Sequence, residues 1–356
     1  MALAMRSIAF LTLFIAIAAG EPPRLNHLQA IGSHNSYHVA PPAGLLGTLT
    51  KFNKDAAAWN YTHPPLTAQL DAGLRQFELD VFADSKGGLF ASPMGLKLAA
   101  LSGTKLPPFD PAGELKKPGF KVLHVPDLDC WSHVPTFKAA LTEMRNWSDK
   151  NPRHLPLMIL VECKDQPHPP LPTKPEPFTR ERLLELEQEI LSVLPATRIL
   201  RPDDVRGQAA TLREAVLKNG WPALDSLRGK FLFCLDNTDA IRSRYLEDNP
   251  SLEQRLLFGS APDATHPAAA WFKRNDPVRG HGDILDLVKA GFLVRTRADT
   301  RQPDPAMREK AFTSGAQWIS TDHFAAPDPV AFDAGKTFRL NPVTTDPAKA
   351  PAVLLE

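Results

Sequence analysis

The stretch 74-LRQFELDVF-82 sets two acidic residues into an apolar run at a spacing of two. Side chains alternate along a β-strand, so Glu78 and Asp80 project from one face while Phe77, Leu79 and Val81 project from the other. Apolar runs of similar length recur at 28-LQAIG-32, 120-FKVLHV-125, 155-LPLMILVE-162, 230-KFLFCLD-236, 255-RLLFG-259, 291-GFLVRTR-297 and 316-AQWISTD-322. Helical patterns lie between them. The clearest is 179-TRERLLELEQEILSVL-194, where Leu183, Leu186, Ile190, Leu191 and Leu194 form one apolar stripe. Others are expected at 64–73, 134–147, 210–220, 282–291 and 304–315, several ending in Gly as helix C-termini prefer. Alternating strands and helices predict an α/β fold with a parallel sheet and helices outside it. A count near eight predicts closure into a (β/α) TIM-type barrel. No Walker loop or GxGxxG sequence follows any run, which argues against nucleotide-binding folds.

Length alone suggests two domains for 356 residues, but single α/β barrels of about 250 residues or more are the standing exception. The net charge of +1 and the lack of a long basic run give no case for nucleic acid as a partner. Much of the proline sits in connections such as 165-DQPHPPLPTKPEPF-178, which reads as a stiff surface segment. At the N-terminus, 8-IAFLTLFIAIAA-19 is apolar apart from Thr12 and too short to span a bilayer, where about 20 residues are needed. Small residues at Ala18 and Gly20 precede Glu21, so residues 1–20 are expected to be a cleaved export signal and 21–356 a single catalytic barrel. The mature chain is then expected to be a secreted or periplasmic monomer with no transmembrane segment. Cys130, Cys163 and Cys234 allow at most one disulfide and match no zinc-site spacing.

A barrel places its chemistry at the C-terminal ends of its strands, and here the polar residues fall late in each run. The first run leads to His34 and Asn35, the second carries Glu78 and Asp80, and the third ends in His124. The fourth supplies Glu162 and Lys164 at the same spacing of two, and the seventh Arg295 and Arg297. Burying three carboxylates together is costly without compensation, and a divalent cation supplies it. Asn35 adds a neutral oxygen, so the donor set of Asn35, Glu78, Asp80 and Glu162 points to Ca²⁺, or to Mg²⁺ in a small rigid site, and away from zinc.

The blocks SHNSY (33–37) and FELDV (77–81), a strand ending in His124, and ILVE (159–162) together resemble the catalytic half of the calcium-dependent phosphoinositide-specific phospholipases C. The later 293-LVRTRADT-300 and 315-GAQWISTD-322 resemble the C-terminal half of their secreted bacterial-type, single-domain members. The resemblance implies a barrel, a catalytic Ca²⁺ and cleavage of a phospholipid phosphodiester. It implies that His34 hydrogen-bonds the phosphoryl oxygen and that His124 is the general acid for the departing diacylglycerol. Asn35, Glu78, Asp80 and Glu162 would hold the metal, and the inositol 2-hydroxyl would be the nucleophile, activated by a metal-bound carboxylate that the sequence does not single out. Lys164, Arg295 and Arg297 are candidate phosphate or headgroup contacts. The partner expected is phosphatidylinositol at a membrane surface, met peripherally. Segments 43–59 and 89–103 carry Leu45, Leu46, Leu49, Phe52, Leu89, Phe90 and Leu96, and are read as rim loops that either dip into lipid or fold over the barrel top. Two other readings stay open: a glycerophosphodiester phosphodiesterase, although that family resembles HRG where this chain has HNS, and a non-catalytic secreted lipid-binding barrel.

Overall fold

The computed structural model describes residues 22–345 except 102, 107, 301 and 325–328; the expected export signal, 1–20, lies outside the described residues. Ten strands form one sheet: β1 (Leu28–Ser33), β2 (Gln76–Phe82), β3 (Lys121–Val122), β4 (Leu157–Cys163), β5 (Phe231–Leu235), β6 (Phe258–Gly259), β7 (Trp271–Lys273), β8 (Leu293–Arg297), β9 (Trp318–Thr321) and β10 (Phe338–Leu340). Eight of them run parallel in the order β6-β5-β4-β2-β1-β9-β8-β7, and a bridge between Ser260 and Trp271 brings the two ends together. The result is the expected TIM-type barrel. β3 and β10 are short antiparallel additions to β2 and β1.

One expected strand is corrected. The run 120–125 is not a stave of the barrel; only Lys121 and Val122 pair, antiparallel, against the end of β2. The stave that completes the eight is β7, three residues long, and too short for its hydropathy to stand out.

The helices form where the apolar stripes fall. Leu183, Leu186 and Ile190 of Arg180–Val193 are buried, as are Leu141 and Met144 of Phe137–Lys150. Their starts are fixed by side chains that accept the first free backbone N–H groups: Thr136 from Ala139, Thr179 from Arg182, Thr211 from Glu214 and Asp304 from Met307. Segments 43–59 and 89–103 are not open loops. They contain the helices Ala43–Phe52 and Met94–Leu101, with Leu45, Leu49 and Ala99 in a small core of their own. Leu46 and Phe90 are buried as well, so the apolar tips left in solvent are Phe52 and Leu101, 87% and 85% exposed. Cys130, Cys163 and Cys234 are all free and buried.

The strand register decides which side chains enter the barrel mouth. Paired residues of parallel strands share a face, and the ladder runs Asp80 beside Glu162, Leu160 beside Cys234, Cys234 beside Phe258, Lys273 beside Arg295, Arg297 beside Ser320, and Ser320 beside Gly32. Counting forward by twos from these pairs puts His34, Glu78, Asp80, Glu162, Asp236, Lys273, Arg295, Arg297 and Asp322 on the inward parity. The top layer of the barrel is polar on every side. Gly32 admits this closeness: a Cβ there would lie 2.5 Å from the Gln76 backbone oxygen on β2.

Candidate active site

The chain leaves β1 through a turn in which Asn35 adopts φ = +46°, a left-handed conformation that Asn tolerates better than most residues. Ser36 locks that turn to β2: its N–H donates to the Glu78 carbonyl at 2.9 Å, and its hydroxyl accepts the Glu78 N–H at 2.8 Å. The turn separates two neighbours. His34 keeps the inward strand parity, with Nδ1 at 2.7 Å from Asp322 Oδ1 and Nε2 at 3.6 Å from Glu78 Oε1. The Asn35 amide donates to the Tyr61 hydroxyl at 3.2 Å, while its Oδ1 is buried with no hydrogen-bond partner among the described residues.

Glu78, Asp80 and Glu162 offer carboxylate oxygens that all lie within 4.8 Å of one another. Asp80 is fully buried and its Oδ1 has no hydrogen-bond partner among the described residues. Burial raises the Asp80 carboxyl above its ordinary range, with Lys164 opposing. Burial and the neighbouring Asp80 charge raise Glu162 too. Glu78 goes the other way: burial would raise it, but Arg295, His34 and Arg297 outweigh that and hold it ionised. The Asp80 Oδ1 within the cluster and the Asn35 Oδ1 are both buried without a hydrogen-bond partner among the described residues. Three clustered carboxylates, one of them with an unsatisfied buried oxygen, fit a hard divalent cation, and Asn35 is the neutral oxygen expected to join them.

Lys164, Arg295 and Arg297, the candidate headgroup contacts, each form an ion pair with a carboxylate of this region. Lys164 Nζ lies 2.8 Å from Asp80 and 3.3 Å from Glu162, inside the cluster. Burial works against its charge, but the two carboxylates prevail and keep the ammonium protonated. Arg295, only 1% exposed, braces Glu78 at 2.5 Å and Asn275 at 2.5 Å, so its guanidinium is turned to the protein. Arg297 donates to Asp322 Oδ2 at 3.0 Å.

His124 stands apart from the strands, in the loop after β3, with Nδ1 at 2.7 Å from Asp129 Oδ2 and its ring partly open to solvent. Burial lowers its pKa although Asp129 pulls the other way. There are thus two carboxylate–histidine pairs, His34–Asp322, whose ring also approaches Glu78, and His124–Asp129. Burial pulls His34 down, but Asp322 and Glu78 overcome it and raise it above the ordinary histidine range. Asp322 in turn is held far below the carboxylate range by His34 and Arg297 in spite of its burial.

Sequence reasoning missed Asp129, Asp322, Asp236 and Lys273. Asp322 and Asp236 close two of the apolar runs and obey the strand-end rule, so that signal was present. Asp236, paired with Lys273 across the mouth, is pushed up by burial to about 6 against the pull of that lysine. Asp129 lies in an irregular loop and left no periodic signal. Two surface cavities, of about 650 and 720 Å³, open near Trp147 and Glu189, and neither is lined by any of these residues.

An eight-stave barrel whose C-terminal mouth gathers an acidic cluster and two buttressed histidines is the architecture of a metal-dependent barrel enzyme. Residues 23–342 match the family model of the Ca²⁺-dependent phosphoinositide phospholipases C, and the chain belongs to that family of phosphodiesterases. No curated protein sequence matches it. Among solved structures, a calcium-dependent phosphoinositol-specific phospholipase C from Pseudomonas sp. superposes with a TM-score of 0.56 at 14% identity, over 92% of this chain and 98% of that one. A Ca²⁺-dependent phosphatidylinositol-specific phospholipase C from Streptomyces antibioticus gives 0.56 at 19% identity, over 89% and 99%. At these identities the likeness is one of fold.

Proposed function

We propose that the protein cleaves phosphatidylinositol, the inositol 2-hydroxyl attacking phosphorus to release diacylglycerol and a cyclic inositol phosphate. The observation that carries this reading is the carboxylate cluster of Glu78, Asp80 and Glu162, with Asp80 Oδ1 unpartnered, in a barrel that also carries the unpartnered Asn35 Oδ1 and two carboxylate-backed histidines, His34 and His124. Glu78, Asp80 and Glu162, with Asn35, would hold Ca²⁺, which would supply positive charge to offset the negative charge building on the phosphate.

The chain's own groups account for the proton movements. Glu162 is the base: its side chain is 32% exposed against 4% for Glu78 and 0% for Asp80, so it is the carboxylate a ligand reaches. As the 2-oxygen bonds to phosphorus, its proton passes to Glu162. The bond from phosphorus to the diacylglycerol oxygen breaks with its electron pair, and His124 Nε2–H protonates that oxygen. His34, backed by Asp322, donates to the phosphoryl oxygen as charge builds there. Water then opens the cyclic ester with Glu162 and His124 in exchanged roles.

Access to lipid fits the surface. Phe52 and Leu101 project from the helices that follow β1 and β2, on the mouth side of the barrel, and the exposed Lys51, Lys54, Lys97 and Lys105 lie within a few positions of them along the chain. Apolar tips among cations suit an anionic membrane surface. No helix among the described residues is long and apolar enough to cross a membrane. Export through residues 1–20 would bring the barrel to such a surface outside the cytoplasm.

The test is release of water-soluble inositol phosphate from phosphatidylinositol vesicles, with Ca²⁺ or with chelator. Cyclic product is expected with Ca²⁺ alone, and His124→Ala should slow its release about 10²- to 10⁴-fold. No release from vesicles or from soluble short-chain phosphatidylinositol would reject the assignment.

A further inference from the structure

The stretch 124-HVPDLD-129 folds into a closed turn with a buried carboxylate at its tip. Leu128 N–H donates to the Val125 carbonyl at 3.2 Å, which leaves Pro126 and Asp127 as the central residues of a β-turn, the first of them where a proline's fixed φ fits. Val125 N–H and Asp129 N–H then donate to each other's carbonyls at 2.9 and 3.0 Å, so His124 and Asp129 stand side by side at the base. Asp127 is 1% exposed, and backbone groups from two distant segments meet it there. Its Oδ1 accepts the Met94 N–H at 3.0 Å, its Oδ2 the Thr173 N–H at 2.9 Å, and its carbonyl the Gly95 N–H at 2.6 Å. Met94 and Gly95 open the helix Met94–Leu101, whose first N–H groups have no partner within the helix. Asp127 caps that helix from outside, through hydrogen bonds that its charge strengthens. Gly95 admits the contact, since a Cβ there would lie 2.8 Å from the Asp127 carbonyl oxygen.

We propose that Asp127 is a positioning residue for the general acid: by tying the turn 125–129 to the helix Met94–Leu101 and to the segment 165–178, it fixes where His124 presents Nε2 to the leaving oxygen. This rests on the reading of His124 as the acid. No barrel stave does that work, because the run 120–125 pairs with β2 only at Lys121 and Val122. The rim does it instead. Leu128 and Trp131 pack on the small core of Leu45, Leu49 and Ala99, as does Trp59, whose ring meets His124 edge-on at 6.3 Å. Glu78, Asp80 and Glu162 are thus placed by strand register, and the acid by a separate layer bonded to it through Asp127. Proton transfer needs the acid within hydrogen-bond reach of its target, and a misplacement of about 1 Å costs about 100-fold. Asp127 itself touches no reacting atom and exchanges no proton.

The experiment compares two soluble inositol phosphodiesters with Ca²⁺ present, one with an alkyl leaving group and one with a 4-nitrophenyl group, which departs without needing a proton. His124→Ala sets the scale, with its loss confined to the alkyl ester. Asp127→Asn keeps one acceptor oxygen and turns an NH₂ group toward the other backbone donor. It should lower kcat on the alkyl ester about 10- to 100-fold and leave the aryl ester within about threefold. Gly95→Ala alters no polar group but pushes the helix off the Asp127 carbonyl, and should show the same selective loss. It decides the matter if Asp127→Asn does not fold. In the native protein, the Met94, Gly95 and Thr173 amides should be protected from hydrogen exchange, a readout that needs no variant. Amides that exchange as freely as exposed ones, or a folded variant that loses both esters equally or neither, overturn the positioning role while native activity stands. Native protein that cleaves neither ester overturns the phospholipase reading instead, and His124→Ala without a selective loss overturns the acid and this role with it.

Discussion

His63 is a buried histidine that supports the site from behind, and it makes stability depend on pH in a calculable way. Its Nε2–H donates to the backbone oxygen of His34 at 2.8 Å, and His133 Nε2 donates to its own carbonyl at 2.7 Å. Burial lowers its pKa from 6.5 to about 4, although the hydrogen bond to His34 and the charge of Asp322 act in the opposite direction. The unfolded chain therefore takes up a proton near pH 6.5, while the folded chain refuses it until about pH 4. The stability linked to His63 is complete above pH 6.5 and is lost as pH falls toward 4. Over the whole window the loss is about 3 kcal/mol, and between pH 8 and pH 5 it is about 2 kcal/mol. The assay is urea unfolding of the native protein and of His63→Gln at those two pH values. Glutamine keeps an N–H donor for the His34 carbonyl but cannot titrate. Other groups contribute equally to both proteins, so the native protein should lose about 2 kcal/mol more than the variant. Equal losses would refute the reasoning.

Three further outcomes follow from the site. Asp322→Asn should lower kcat about 10²- to 10³-fold with little change in binding of Ca²⁺, because it releases His34 and leaves the oxygen cluster intact; calorimetric titration of Ca²⁺ beside the kinetics separates the two. Asp80→Asn should raise the melting temperature in chelator by removing a poorly compensated buried charge, and should abolish the upward shift that saturating Ca²⁺ gives the native protein, a stabilisation of about 2.7 kcal/mol at a hundred times Kd. Phe52→Ser combined with Leu101→Ser should weaken binding to anionic vesicles about 10- to 100-fold while leaving turnover of a soluble substrate unchanged, as sedimentation with vesicles would show.

The barrel was legible because its strands are apolar runs of ordinary length, and three of its strand ends carry charged residues two apart. Alternation alone was enough to pair Glu78 with Asp80, Glu162 with Lys164 and Arg295 with Arg297. What alternation does not contain is register between strands. Only register shows that Asp80 sits beside Glu162, or that Asp236 and Asp322 reach the same layer as the residues chosen. It also shows that Arg295 is spent on Glu78. β7 escaped notice because three residues make no pattern, and the run ending in His124 imitated a stave while lying outside the barrel. Asp129 and His38 meet across 91 positions through a loop, where no periodicity operates.

The barrel is not uniformly knit. β2 and β4 are paired over six residues, whereas β6 and β7 meet at one bridge and β6 joins β5 at only two positions. Glu78, Asp80 and Glu162 stand on the long-paired wall. Asp236 and Lys273 stand on either side of the loose seam, their ion pair closing it like a clasp. The mouth thus divides its labour: a wall knit by backbone pairing keeps the three carboxylates at constant spacing, and a seam held largely by side chains completes the ring opposite them.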